Sequence, residues 1–309
     1  MAIIVNPHSI ILASSNVTAS ALSEYNSGTA YTAGQQVKVS FESDGTTPRT
    51  PVYEYEAVGG TTGNYPPNDD GTNWTLIGAS NKWKMFDSYV SSQTENADTI
   101  EIELTVTKAD KLYLLNVQAD EIRVVCKESD LTPISDETIA MSDTSSGSWS
   151  EYFFGDFEFK TVLAYDLPGY YTNMSVTITI DKTGGTAKCG HCVIGKKIEI
   201  GTTEYGISVG IQDYSVKETN DFGETTFLER AFAKVIDADL FIQHDTTGSE
   251  YDRIQRVLSS IRATPCVYDF NNNGSSTGSF VAFGFFKDFD LVARYATITH
   301  CSLSIEGLI

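Results

Sequence analysis

The chain has 309 residues, 41% hydrophobic and 11% aromatic, which is ample for packed cores in two or three domains and excludes global disorder. Its 41 acidic residues against 21 basic ones give a formal net charge of −20. That balance argues against nucleic acid, whose phosphates need clustered Lys and Arg, and against an anionic membrane surface.

No apolar run reaches the roughly 20 residues that cross a bilayer, so no membrane insertion is expected. The start Met1-Ala-Ile-Ile-Val-Asn-Pro-His8 lacks the basic stretch of a secretory signal. Residues 1–24 read as an irregular leading segment rich in Ser, Ala and Asn, with a strand from Ile3 onward. Residues 25–80 read as a small, aromatic-dense β module. Its strands are Tyr31-Thr-Ala-Gly-Gln-Gln-Val37, Val52-Tyr-Glu-Tyr-Glu-Ala57 and Asn73-Trp-Thr-Leu-Ile-Gly78, with a polar loop from Gly59 to Thr72.

Residues 81–182 carry short strands at intervals of roughly ten residues, the pattern of a β-sandwich. Thr99-Ile-Glu-Ile-Glu-Leu-Thr-Val-Thr107 alternates strictly. Leu112–Val117, Glu121–Cys126, Thr161–Ala164 and Ser175–Ile180 follow, and Ser142 to Ser150 reads as a Ser/Thr/Gly loop. Residues 183–309 read as a carboxy-terminal β-rich assembly domain with one helix. Val193 to Gly201 looks like a strand pair joined at Gly195-Lys-Lys197, and Tyr205 to Ile211 alternates again. From Glu250 to Arg262, Tyr251, Ile254, Val257, Leu258 and Ile261 recur at helical spacing, with Pro265 beyond the end. Phe280–Phe286 and a closing strand from Thr297 to Glu306 complete the chain. The fold class is mostly β: a small carbohydrate-module-like domain, a sandwich, and a β-rich domain with one helix.

The five cysteines are too few and scattered for a disulfide framework, and their odd number leaves a free thiol in the monomer. Cys189-Gly-His-Cys192 has the form of a redox-active Cys-x-x-Cys pair. That chemistry needs a helix N-terminus in a βαβ unit to lower a thiol pKa, and here a strand follows. A zinc-type set of Cys189, His191, Cys192, His300 and Cys301 is the weaker alternative, since only one Cys-x-x-Cys is present. Packed or disulfide-linked cysteines without activity remain the main expectation. Asn68-Asp-Asp-Gly-Thr-Asn73 is oxygen-rich but lacks the bidentate Glu of a calcium loop, and a solvated turn is expected. No opposed carboxylate pair, Gly-x-Ser-x-Gly elbow or phosphate loop can be named, so neither an enzyme nor a cofactor is expected. Among the aromatics, Tyr31, Val37 and Tyr53 are expected in the module's core. Tyr55, Tyr65 and Trp74 are the candidate platform for stacking on a sugar ring. Trp83, Met85 and Phe86 are expected in the core of the second block.

The Tyr-x-x-Gly-x-x-Val start at Tyr31, the strand with Glu56-Ala57, the Pro66-Pro67 loop and Trp74 resemble the small chitin-binding carbohydrate modules of bacterial chitinases. Several motifs from residue 81 on resemble tail proteins of long-tailed bacteriophages. They are Asn81-Lys-Trp-Lys-Met-Phe-Asp87, Gly201-Thr-Thr-Glu-Tyr-Gly206, Asp213-Tyr-Ser-Val-Lys-Glu218, Phe222-Gly223, Glu229-Arg-Ala-Phe232, Gly284-Phe-Phe-Lys-Asp-Phe289 and Glu306-Gly-Leu-Ile309. The resemblance implies a non-enzymatic component of the tail tip, baseplate or fibre attachment. It also implies a virion location reached through lysis of the host, other tail proteins and further copies of itself as partners, and a host-surface glycan held by the amino-terminal module. The rival readings are a cell-wall polysaccharide hydrolase with an appended binding module, and a tail adaptor whose module docks protein alone.

Overall fold

A computed structural model describes residues 1–8, 10–143, 158–169, 171–243, 249–271, 278–295 and 298–308. The fold is mostly β, as expected. In chain order the strands begin with β1 (Ala2–Pro7), β2 (Ile11–Ser15), β3 (Gln36–Phe41), β4 (Pro48–Ala57) and β5 (Trp74–Ala79). A 3₁₀ turn, Asn81–Phe86, leads to β6 (Thr94–Val106), β7 (Lys111–Gln118), β8 (Glu121–Lys127) and β9 (Pro133–Ala140). Then come β10 (Ser142–Asp143), β11 (Glu158–Phe159), β12 (Val162–Asp166) and the long β13 (Met174–Thr203). The last part holds β14 (Ser208–Asp213), β15 (Val216–Thr219), β16 (Thr225–Leu228), β17 (Phe232–Gln243), helix α1 (Ser249–Ser260), β18 (Cys266–Asp269), β19 (Val281–Tyr295) and β20 (Ile298–Gly307). The Ser/Thr/Gly loop expected at 142–150 lies outside the described residues from 144 on.

The amino-terminal module is a separate three-stranded sheet, β3-β4-β5. The rest is built on one 13-stranded antiparallel sheet with β13 as its spine. In its first half, β13 pairs with β6 on one edge and β8 on the other. Val176, Ile178 and Ile180 alternate inward and are fully buried with Ile100, Ile102 and Leu104 of β6. Its second half pairs with β7, then with β1, and it ends on β17.

The sequence boundary at 182/183 therefore falls inside a continuous strand. Thr183-Gly-Gly-Thr186 has the composition of a turn, but it forms an irregularity in the β6 pairing between Asp181 and Thr186. Gly195-Lys-Lys197 is likewise no turn. Gly195 lies in mid-strand, where an added Cβ would sit 2.1 Å from the Asn6 carbonyl oxygen, so the neighbouring strand approaches only because the side chain is missing. Residues 1–24 are irregular only in part: the strand expected from Ile3 is β1, β2 follows, and residues 16–24 hold no strand. Ile4 and Val5 are fully buried, and β1 lies in the sheet interior between β13 and β18.

Helix α1 turns Ile254, Leu258 and Ile261 onto the sheet, at the i, i+4, i+7 spacing of an amphipathic helix. The same buried cluster holds Ile236, Leu240 and Ile242 of β17 and Cys301, Leu303 and Ile305 of β20. Each such side chain, once buried, contributes about 1.5–3 kcal/mol. Glu250 and Asp252 in the first turn suit the positive end of the helix dipole. A third cluster, which includes Val5, Tyr113, Val193 and Val267, takes the alternate positions of the same strands, on the face opposite Ile4, Leu112, Ile194 and Tyr268. There the buried Tyr113 hydroxyl donates to Asp269 Oδ2 at 2.6 Å, tying β7 to β18.

Candidate functional site

The expected sugar platform is taken apart by burial. Trp74 begins β5 opposite Ala57, on the inward face of the module's sheet, and is 2% exposed. Its ring lies 5.1 Å from Tyr31 and 5.9 Å from Tyr25, both edge-on, and its Nε1 donates to the Asn64 carbonyl at 3.0 Å. Such pairs are worth about 0.5–1.5 kcal/mol beyond the buried area. Tyr55 is also buried, in the same cluster as Tyr31, Val37 and Val39. Tyr65 is half-buried, and its hydroxyl donates to the Phe41 carbonyl at 2.6 Å. A small module has few residues with which to fill its centre, and here the large rings fill it. Tyr31 and Val37 are core as expected, whereas Tyr53 is half-buried against that core. One half-buried tyrosine does not make a stacking platform.

The polar loop before Trp74 is a turn. Asp69 Oδ2 accepts from the backbone N–H of Gly71, Asn73 and Trp74 at 3.0, 2.8 and 2.9 Å, and its Oδ1 accepts from Asn73 Nδ2 at 2.7 Å. Those carboxylate oxygens serve the backbone rather than a cation.

The Cys189–Cys192 motif lies within β13. In an extended strand, residues three apart are separated by roughly 10 Å, beyond the Cα spacing of a disulfide. All five cysteines are free and buried. Burial pushes the Cys189 thiol up to about 12 and that of Cys192 well above its ordinary value, the opposite of what a redox pair needs. Gly190 has a packing reason. An added Cβ would meet the Val90 carbonyl oxygen at 2.4 Å, and Asn116 Nδ2 donates to that same oxygen at 2.9 Å. His300 is elsewhere, with Nδ1 2.7 Å from Glu204 Oε1. Cys301 packs in the helix-facing core, where burial raises its thiol to about 11. Among the described residues no group of three His, Cys, Asp or Glu could hold a metal ion.

His191 stands apart from its neighbours. It is 6% exposed, packs 4.2 Å from the Phe283 ring, and its Nδ1 is buried without a hydrogen-bond partner. Burial lowers its pKa to about 4, so the ring is neutral near pH 7.

A second feature covers Asp213–Glu218 and Phe222-Gly223, named from the sequence as motifs but not as a hairpin. Strands β15 and β16 form a two-stranded hairpin outside the main sheet. Its tip is a built turn: Asn220 Oδ1 accepts from the N–H groups of Phe222 and Glu224 at 3.0 and 2.9 Å, and Gly223 takes a positive φ of 83°. This turn holds Phe222 out at 91% exposure. Phe227 and Leu228, successive residues that point to opposite faces, are 70% and 55% exposed. Beside the hairpin, β14 pairs only with β17 among the described residues and shows Ile211 at 69% exposure. The signal available in the sequence was Asn220-Asp-Phe-Gly223 between two short β-compatible runs. No model of a known protein family matches the chain, and no curated protein matches it at a significant level.

Proposed function

We propose that the chain is a non-enzymatic structural component of a bacteriophage tail, assembled from several copies of itself and joined to other tail proteins. The observation that carries this reading is the β15–β16 hairpin with its neighbouring edge strand β14. A free two-stranded hairpin is marginal in water, and this one exposes apolar side chains on both faces. Exposed aromatic groups on a built arm suit an interface that a second copy covers, and a strand with an unpaired edge offers backbone groups to the same neighbour. The net charge of −20 supports solubility of the chain before assembly. The resemblance of residues 81–309 to tail proteins supplies the particle, and release by host lysis supplies a route out of the cell. The module keeps its aromatics as core, so a glycan-holding role for Tyr55 and Trp74 is not carried into this reading.

The test is the mass of the intact chain in solution, by analytical ultracentrifugation across a concentration series, together with immunogold labelling of tailed particles. Oligomers that dissociate when Phe222→Ser and Phe227→Ser are combined, and gold on the tail, are the expected results. A chain that stays monomeric at all concentrations, with unlabelled tails, overturns the reading.

A further inference from the structure

A cavity of about 520 Å³ opens where the end of β1, the start of β2, Thr50-Pro51 of β4, the 3₁₀ turn, the middle of β13 and the segment after α1 converge. That volume lies in the range of small-molecule sites, about 300–1,000 Å³. Its walls are mostly apolar: Leu12, Pro51, Phe86, Val193 and Phe283, with the half-buried ring of Trp83. Four titratable side chains interrupt them: His8, Asp87, His191 and the buried thiol of Cys192. His8 Nδ1 lies 3.2 Å from the Thr107 carbonyl. Both Asp87 oxygens are occupied, one by the Tyr89 N–H at 2.7 Å and one by the Ser92 hydroxyl at 2.8 Å. His191 has its Nδ1 sealed without a partner, which leaves Nε2 as the polar atom the ring has to offer. The imidazole is thereby a polar group in a mostly apolar wall, and a ligand that pairs with Nε2 offsets part of the cost of burying the ring.

We propose that this cavity binds an uncharged, mainly apolar small molecule carrying one hydrogen-bonding group, with its body against Trp83 and Phe86 and its polar group at the His191 imidazole. Charge selects the class. An anionic amphiphile would meet the Asp87 carboxylate in the wall and the field of a strongly acidic chain. A cation would have to share the one carboxylate in the wall, Asp87, with the Tyr89 N–H and the Ser92 hydroxyl, from which it already accepts. The proposal does not depend on the chain's role in a particle.

The probe is N-phenyl-1-naphthylamine, an uncharged aromatic amine with one N–H whose fluorescence rises in apolar surroundings. Titration of the full chain at pH 8 is expected to saturate at one site per chain. Decanol displaces the probe, and decanoate does not. Trp83→Ala weakens binding about tenfold. Ile11→Arg blocks entry while leaving the melting temperature unchanged, because Ile11 is on the rim and 68% exposed. His191→Phe keeps the apolar walls and weakens the probe, whereas Phe222→Ser on the distant hairpin leaves binding intact. The idea fails if binding does not saturate, if decanoate competes as well as decanol, or if Phe222→Ser removes the signal while Ile11→Arg spares it.

Discussion

Trp74 stands inside the amino-terminal module and Trp83 in the turn that leads out of it, and the two rings meet opposite surroundings. Trp74 is enclosed by Tyr25, Tyr31 and the Asn64 carbonyl, whereas Trp83 is half-buried at the wall of a cavity. What separates them is the backbone beneath each ring. Trp74 occupies an inward position of a strand pair. In the 3₁₀ turn the inward position belongs to Met85, which is fully buried and whose N–H donates to Thr94 Oγ1 at 2.9 Å. With Met85 anchored, Trp83 and Phe86 lean into the cavity, their rings edge to face at 6.1 Å. Aromatic density in a turn-rich stretch thus reports that large rings are needed, and strand register decides whether they pack or recognise.

The contrast is most readily broken by truncating Trp74. Trp74→Ala should cost about 3–5 kcal/mol, as for a large side chain removed from a tight core, read by urea unfolding. A cost near zero would return Trp74 to the surface.

Acid gives the next effect, through His191. Its folded pKa of about 4 is below the unfolded value of about 6.5. Between these values the unfolded chain binds the extra proton, so stability falls as pH drops from about 6.5 to about 4 and is level above that window. The loss is on the order of 3 kcal/mol. His8 and Asp87 line the same cavity, and burial raises the Asp87 carboxyl, which works in the opposite sense at low pH. Comparison with His191→Phe, which keeps both, isolates the histidine. Parallel stability–pH curves for the two proteins would show that the ring is not held neutral.

The smallest effect should come from Trp83→Ala, about 1 kcal/mol or less of stability, because the ring is only half-buried. A loss as large as that of Trp74→Ala would erase the distinction between the two sites.

Much of the main sheet was legible because period-two alternation survives wherever one strand face meets a core. Thr99–Thr107 and Ser175–Ile180 read directly as strands, which the structure pairs, and α1 announced itself through Ile254, Leu258 and Ile261. The continuity of β13 was hidden. Glycines mark turns in most sequences, and here Gly184, Gly185 and Gly195 mark an irregular pairing and a close strand approach. The cavity was hidden for another reason. His8, Pro51, Trp83, His191 and Phe283 are far apart in the chain, and only the folded chain, with the module's β4 and the 3₁₀ turn set against the main sheet, brings them to one wall. The cysteine spacing fits redox chemistry, but the strand context pointed to packed cysteines, and packing is what the structure shows: both thiols are buried and free, and Val90 closes on Gly190.

The long strand β13 has a mechanical consequence. Thirty residues of extended chain have a contour of roughly 100 Å. Rungs to β6, β7, β8 and β1 are distributed along it. Tension applied along this strand loads many hydrogen bonds together in shear, whereas a hairpin pulled apart at its open end gives way one rung at a time. The β15–β16 arm is built in that weaker way, so under strain the arm yields first and the spine last.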